Sequence, residues 1–237
     1  MRYPDAMTTT TTLAERLAGV RARIDAACVA AGRNPSDVTL VGVSKTHPVE
    51  AVQDAVQAGL LDLGENWEQE LVPKAEGAAA LGLAPRWHFI GHLQRNKVRS
   101  VIPHIASLHS LDSERLADEL EHRLAQGNLA PLECFIEVNV ADEDSKTGVA
   151  TRDVTALLAH ARTLPHLNVV GLMTVAPESH DDVEATRPVF SELRTMAQDL
   201  GLSQLSMGMS GDYLVAIEEG ATLVRIGTAI FGPRRVS

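Results

Sequence analysis

The sequence predicts an α/β fold: a single (β/α)8 TIM-type barrel with one extra helix in front of it. Three observations carry this reading. Short apolar runs alternate with helical segments about eight times along the chain. The runs are almost continuously apolar, as in parallel strands covered on both faces. A chain of 237 residues can also bury the full core of one such barrel. Strict alternation implies an all-parallel sheet, and eight units close naturally on themselves. An open doubly wound sheet is the competitor. No Gly-x-Gly-x-x-Gly follows the first strand, which weakens the dinucleotide-binding version of that alternative.

Residues 1–11, ending in the threonine run from Thr8, lack periodicity and read as a flexible start; residues 12–237 are assigned to one barrel domain. Thr12 caps a helix with Leu13, Leu17, Val20, Ile24 and Ala27 on its apolar face, ending near Gly32. The first strand, Val38–Lys45, puts Val41, Val43 and Lys45 on one side, and Pro48 opens a helix that stops at Gly59. Leu60–Asn66 is the second strand, followed by a helix from about Trp67 to Leu81 and a third strand at Trp87–Gly91. Leu93–Arg99 reads as a helix start, and Ile105–Leu111 as the fourth strand. Asp112 is expected to cap a helix with Leu116, Leu120 and Leu124 on one stripe and a Glu119–Arg123 pair, ending at Gly127-Asn128. Cys134–Val140 is strand five; a loop with Lys146 and a helix around Val154–Ala161 lead to strand six, Asn168–Met173. A helix between Asp181 and Leu200, kinked or opened by Pro188, precedes strand seven near Leu205–Met207. A short helix after Asp212 leads to strand eight, Thr222–Ile226.

Composition narrows the function classes. The net charge of −10 argues against a general nucleic-acid surface, and eight aromatic residues are too few for a base-stacking platform. No apolar run reaches membrane-spanning length and no signal-peptide core is present, so the expected location is the cytoplasm, where Cys28 and Cys134 would be buried, reduced thiols.

In a barrel of this kind the C-terminal ends of the strands form one mouth, where chemistry is placed. Lys45, Asn66, His88 with His92, Asn139, Thr174, Ser210 and Arg225 fall there, around an aliphatic core that leaves such groups in need of a polar ligand. Lys45 at a strand end is either a lysine reaching out to solvent or a desolvated amine able to form a Schiff base. Ser206–Asp212 after strand seven and Gly227-Thr228 after strand eight occupy the usual phosphate-binding loops of the fold. Glycines there let backbone N–H groups approach an oxyanion, with the hydroxyls of Ser210 and Thr228 as further donors. Arg225, in an otherwise apolar strand, needs an acceptor, either Glu137 or a cofactor ring nitrogen. A Schiff-base lysine, a phosphate cradle and an arginine at ring distance together describe pyridoxal phosphate. His88 and His92 fall on a strand and a turn, a poor metal pair, so packing or cofactor contacts suit them better. Arg95, Lys97 and Arg99 read as a solvated helix end.

Val43-Ser-Lys-Thr46, Gly64-Glu-Asn66, Trp87–Gly91, Leu93–Lys97, Ser206–Ser210 with Asp212, and Val224–Thr228 through Gly232 together carry a resemblance. The chain resembles the pyridoxal-phosphate-binding homeostasis protein family, which shares the barrel of the alanine racemase N-terminal domain. The resemblance implies that Lys45 forms the internal aldimine and that Ser210, Gly211, Gly227 and Thr228 hold the phosphate. It further implies that Arg225 faces the pyridine nitrogen and that Asn66 contacts the cofactor.

An arginine at that nitrogen keeps it unprotonated and the ring a weak electron sink. The racemases use a tyrosine from a second domain as the opposing base, whereas this sequence has only Tyr3 and Tyr213. The expectation is therefore a cofactor carrier in vitamin B6 and amino-acid homeostasis, monomeric and without efficient turnover, that meets pyridoxal-phosphate-dependent apoenzymes transiently. Lys146 is a candidate second acceptor, against an ordinary loop lysine. The alternatives are an amino-acid racemase or a Schiff-base aldolase on a phosphorylated substrate.

Overall fold

The computed structural model describes residues 11–141, 147–177 and 182–233. Eight strands form the barrel: β1 (Thr39–Val43), β2 (Asp62–Glu65), β3 (Arg86–Phe89), β4 (Ser107–Leu111), β5 (Leu132–Asn139), β6 (Leu167–Met173), β7 (Gln204–Ser206) and β8 (Leu223–Ile226). Each pairs in parallel with the next, and β8 returns to β1 with Val41 opposite Arg225, so the sheet is closed. A two-residue strand, Val149–Ala150, which the periodicity does not reveal, adds to the end of β5.

Nine α-helices accompany them: α1 (Leu13–Ala30), α2 (Val49–Gln57), α3 (Glu68–Ala80), α4 (Val98–Val101), α5 (Glu114–Gly127), α6 (Val154–Ala161), α7 (Arg187–Asp199), α8 (Tyr213–Glu218) and α9 (Thr228–Phe231) among the described residues. α1 is the extra helix. Thr12 and Glu15 form a reciprocal capping box at its start, and Leu17, Val20, Ile24 and Cys28 are buried along one stripe. It packs against α8 and α9, the helices that follow the last two barrel strands.

Several expected boundaries move, each for a local reason. Leu60 is not in β2: its N–H bonds to Ala55 O, closing the α2 cap with Gly59 at φ +81°. Ser113, not Asp112, caps α5, its hydroxyl oxygen accepting from Leu116 N–H at 3.4 Å. Asp112 instead lies 3.1 Å from His92 Nδ1. The Leu93–Arg99 stretch is a 3-10 turn (Arg95–Lys97) leading into the single turn of α4. Pro188 is the second residue of α7 and opens it, because the first turn needs no N–H from that position. The Glu119–Arg123 pair forms at 2.6 Å, and Asn128 ends α5 in the left-handed region.

The outward strand faces and the helices share one large core. Inside the barrel, Val41, Phe135, Met173 and Leu223 form a separate apolar layer. The rest of the interior is partly polar: His88, His109, Ser206 and Arg225 are all buried there. No helix among the described residues is long and apolar enough to cross a membrane.

Candidate functional site

At the C-terminal end of the strands a cavity of about 520 Å³ opens. Lys45, Asn66, Ser210, Gly211, Arg225, Gly227 and Thr228 all line it, so the structure gathers the residues that the resemblance assigns to the cofactor around one space, while His88, His92, Asn139 and Thr174 are not in its lining. Val43, Ile90, Val175 and Met209 supply apolar wall.

Lys45 lies just past β1. The ladder continues one bond beyond the strand, from Ser44 N–H to Gly64 O at 3.1 Å, and His47 N–H then returns to Ser44 O. Between them Thr46 adopts φ +65°, rare for a β-branched residue. Glu70 on α3 holds that backbone by accepting from Thr46 N–H at 2.7 Å. Lys74, one turn further along α3, is buried and donates to Glu70, to Glu65 and to Ser44 O, at 2.7, 2.7 and 2.9 Å. The Ser44 hydroxyl donates to the same Glu65 oxygen at 2.6 Å. Burial pushes the Glu65 carboxyl up despite the pull of Lys74 and Ser44. This cluster clamps both sides of the turn that carries Lys45. Sequence reasoning missed it, although the Glu70–Lys74 spacing of four on a helix was a usable signal.

Asn66 follows β2, and its Oδ1 is buried with no hydrogen-bond partner among the described residues. Its backbone lies against Gly91, where any side chain would collide with the Asn66 carbonyl oxygen. The glycine after β3 therefore sets how closely β2 and β3 converge under the cavity.

The loop after β7 is built for a tight return. Gly208 has φ +93°, and a Cβ there would lie 2.6 Å from Ala216 Cβ and 2.9 Å from Tyr213 Cα, so only glycine lets the loop rest on α8. Asp212 Oδ1 accepts from Met209 N–H at 2.6 Å and closes the loop. Burial pushes the Asp212 carboxyl up, against that bond and the nearby Arg225. Between Met209 and Asp212, the N–H groups of Ser210 and Gly211 have no acceptor among the described residues. Both residues are exposed to the cavity, as is Thr228 at the start of α9. Free donors, two hydroxyls and the first turns of α8 and α9 on one side make a site for an oxyanion.

Arg225 is buried on β8. Its Nη1 donates to Ser206 Oγ at 2.6 Å and its Nη2 to Thr174 O at 2.9 Å. It forms no ion pair with Glu137, whose Oε1 accepts from Thr147 and whose Oε2 has no partner among the described residues. That settles one of the two acceptors considered for it. Burial lowers the guanidinium to about 10, which leaves it charged near neutral pH. An amine, an unpartnered amide oxygen, a guanidinium and a set of oxyanion donors around one cavity suit a flat, aldehyde-bearing ring with an anionic tail.

Other expectations fare differently. His88 is not at the mouth. It points into the barrel, with Nε2 3.0 Å from Asp62 near the opposite end, because its position on β3 faces inward. Thr174 contributes through its backbone, while its hydroxyl donates to Val138 O. Tyr213 is buried at the head of α8. Lys146 and Tyr3 lie outside the described residues. No group of three or more metal-ligating side chains occurs among the described residues. Cys28 and Cys134 are buried, unpaired thiols, and burial pushes both up.

Comparison with known proteins agrees with this geometry. The family model for the alanine racemase N-terminal domain matches residues 17–235. The chain is 47% identical over 225 residues to a pyridoxal phosphate homeostasis protein of Pseudomonas aeruginosa, covering 94% of this chain and 96% of that one. It is 44% identical over 229 residues to the protein of the same description in Aquifex aeolicus, covering 93% and 98%. Among solved structures, PipY of Synechococcus elongatus with pyridoxal phosphate bound matches at a TM-score of 0.81 and 33% identity, over 93% of this chain and 100% of that one.

Proposed function

Because the chain belongs to the alanine racemase N-terminal-domain family, and within it to the pyridoxal phosphate homeostasis proteins, we propose that it carries pyridoxal 5′-phosphate reversibly on Lys45 and does not turn over amino acids efficiently. When bound, pyridoxal 5′-phosphate supplies an aldehyde that condenses with a primary amine, releasing water. The observation that carries the reading is the convergence of residues from β1, β2, β7 and β8 on one cavity. Lys45 is the only lysine in its lining among the described residues. Ser210, Gly211, Gly227 and Thr228 hold the phosphate, and Asn66 supplies its unpartnered oxygen to a ring substituent. Arg225, cationic and buried, faces the ring nitrogen and disfavours a second positive charge there. That keeps the ring a weak electron sink, which suits holding the cofactor better than using it. The other ionisable groups in the lining, Asp212 and Arg225, are already engaged in holding the loop and the barrel interior, so neither serves as a base opposite Lys45. The reading includes a cytoplasmic monomer that meets pyridoxal-phosphate-dependent apoenzymes transiently; two buried thiols support a reducing compartment.

Borohydride reduction of the loaded protein followed by peptide mass spectrometry should place the modification on Lys45, and Lys45→Ala should lose the visible absorption of the adduct. Modification spread over surface lysines would sink the assignment. Sustained loss of optical activity from L-amino acids would replace the carrier with a racemase.

A further inference from the structure

Arg225 is one end of a hydrogen-bonded chain that crosses the barrel interior. Ser206 Oγ, which accepts from Arg225, lies 2.8 Å from His109 Nδ1. His109 Nε2 lies 3.0 Å from His88 Nδ1, and His88 Nε2 lies 3.0 Å from Asp62 Oδ1. The five side chains come from β8, β7, β4, β3 and β2, and the chain runs from the cavity to the opposite end of the barrel.

The ends fix the direction of every bond. A guanidinium only donates, and an ionised carboxylate only accepts. Ser206 Oγ accepts from Arg225, so its hydroxyl proton goes to His109 Nδ1. His109 then carries its proton on Nε2 and gives it to His88 Nδ1, and His88 gives its own Nε2 proton to Asp62. Every atom in the series has a partner and both imidazoles are neutral. The reverse arrangement at His109 would aim two donors at Ser206 Oγ and leave the serine proton without an acceptor among the described residues. Full burial, then the neighbouring His88 and Arg225, hold the His109 imidazole well below its ordinary range, in keeping with a neutral ring. His109 also packs on Phe135, ring centroids 4.5 Å apart, so it is clamped as well as bonded.

We infer that His109 and His88 are positioning residues: through Ser206 they fix the orientation of the Arg225 guanidinium at the cavity and connect its charge to the Asp62 carboxylate. The inference rests on the assignment of Arg225 to the ring nitrogen of pyridoxal phosphate. Nothing in the sequence pointed to His109, because a histidine in an apolar strand reads as packing.

Two measurements test it. Nitrogen-15 NMR of histidine-labelled protein without cofactor should show His88 and His109 as neutral Nε2–H tautomers; a proton on Nδ1 of either ring, or a charged ring, overturns the relay whatever the cofactor does. The second compares binding of pyridoxal 5′-phosphate with its analogue whose ring nitrogen is replaced by C–H. The native protein should prefer the former, and His109→Phe should reduce that preference by roughly tenfold while leaving binding of the analogue unchanged. A folded His109→Phe protein that keeps the full preference overturns the positioning role. If that variant does not fold, Asp62→Asn, at the mostly buried far end, replaces it, with a reduced preference again expected and an unchanged one overturning the proposal. A native protein that binds neither compound refutes the proposed function, while the tautomers still decide the relay.

Discussion

Thr46 combines a left-handed backbone, a branched side chain and a buried hydroxyl with no partner among the described residues, all beside Lys45. The left-handed region costs an ordinary residue about 1–2 kcal/mol, and glycine's extra unfolded-state entropy costs about 0.5–1 kcal/mol. Thr46→Gly should therefore be neutral or stabilising in urea denaturation; a clear destabilisation would mean that the methyl group packs better than the backbone strain costs. Glu137 makes a second case. Burial raises its carboxyl above the ordinary carboxylate value of 4.5, with Asp112 pushing the same way and only Thr147 and distant cations opposing. In the unfolded chain the carboxyl ionises first as pH rises, so the native state holds the extra proton and stability falls through that window. Glu137→Gln keeps the acceptor for Thr147 and removes the charge. It should gain on the native protein as pH rises above about 4.5 and match it in acid; denaturation at several pH values reads the difference.

At the scale of elements, the alternating apolar runs disclosed all eight barrel strands, since strands covered on both faces have little room for polar residues. Boundaries were less legible where an apolar residue served a helix cap, as Leu60 does, or where two adjacent polar residues competed for one, as Asp112 and Ser113 do. Two glycines, Gly91 read as a strand end and Gly208 read as part of a phosphate loop, are fixed by tertiary contact that the sequence does not disclose. Gly91→Ala would drive a methyl group into the Asn66 backbone and should cost about 2 kcal/mol or more. Gly208→Ala should separate the loop after β7 from α8 and weaken binding of inorganic phosphate more than it lowers stability, measurable by calorimetry beside a denaturation curve.

For the whole molecule, the candidate site was legible where strand ends converge, because a barrel turns position along the chain into position around a rim. What stayed hidden was the support behind it: the Lys74 clamp under Lys45 needs β1, β2 and α3 packed together, and the histidines behind Arg225 reach Ser206 across the barrel interior only because the sheet closes. A ligand spanning β1, β2, β7 and β8 should staple that closure. Pyridoxal 5′-phosphate at 100 times its dissociation constant should add about 2.7 kcal/mol, seen as a rise in melting temperature that Lys45→Ala largely abolishes. The seam between β1 and β8, with α1 leaning on α8 and α9, carries one more consequence. The cavity rim around Lys45 is shared by the first and eighth strands of the barrel, so a nascent chain that still lacks β8 has no finished rim. Any ligand that needs both sides of that cavity would therefore have to wait until β8 has been synthesised.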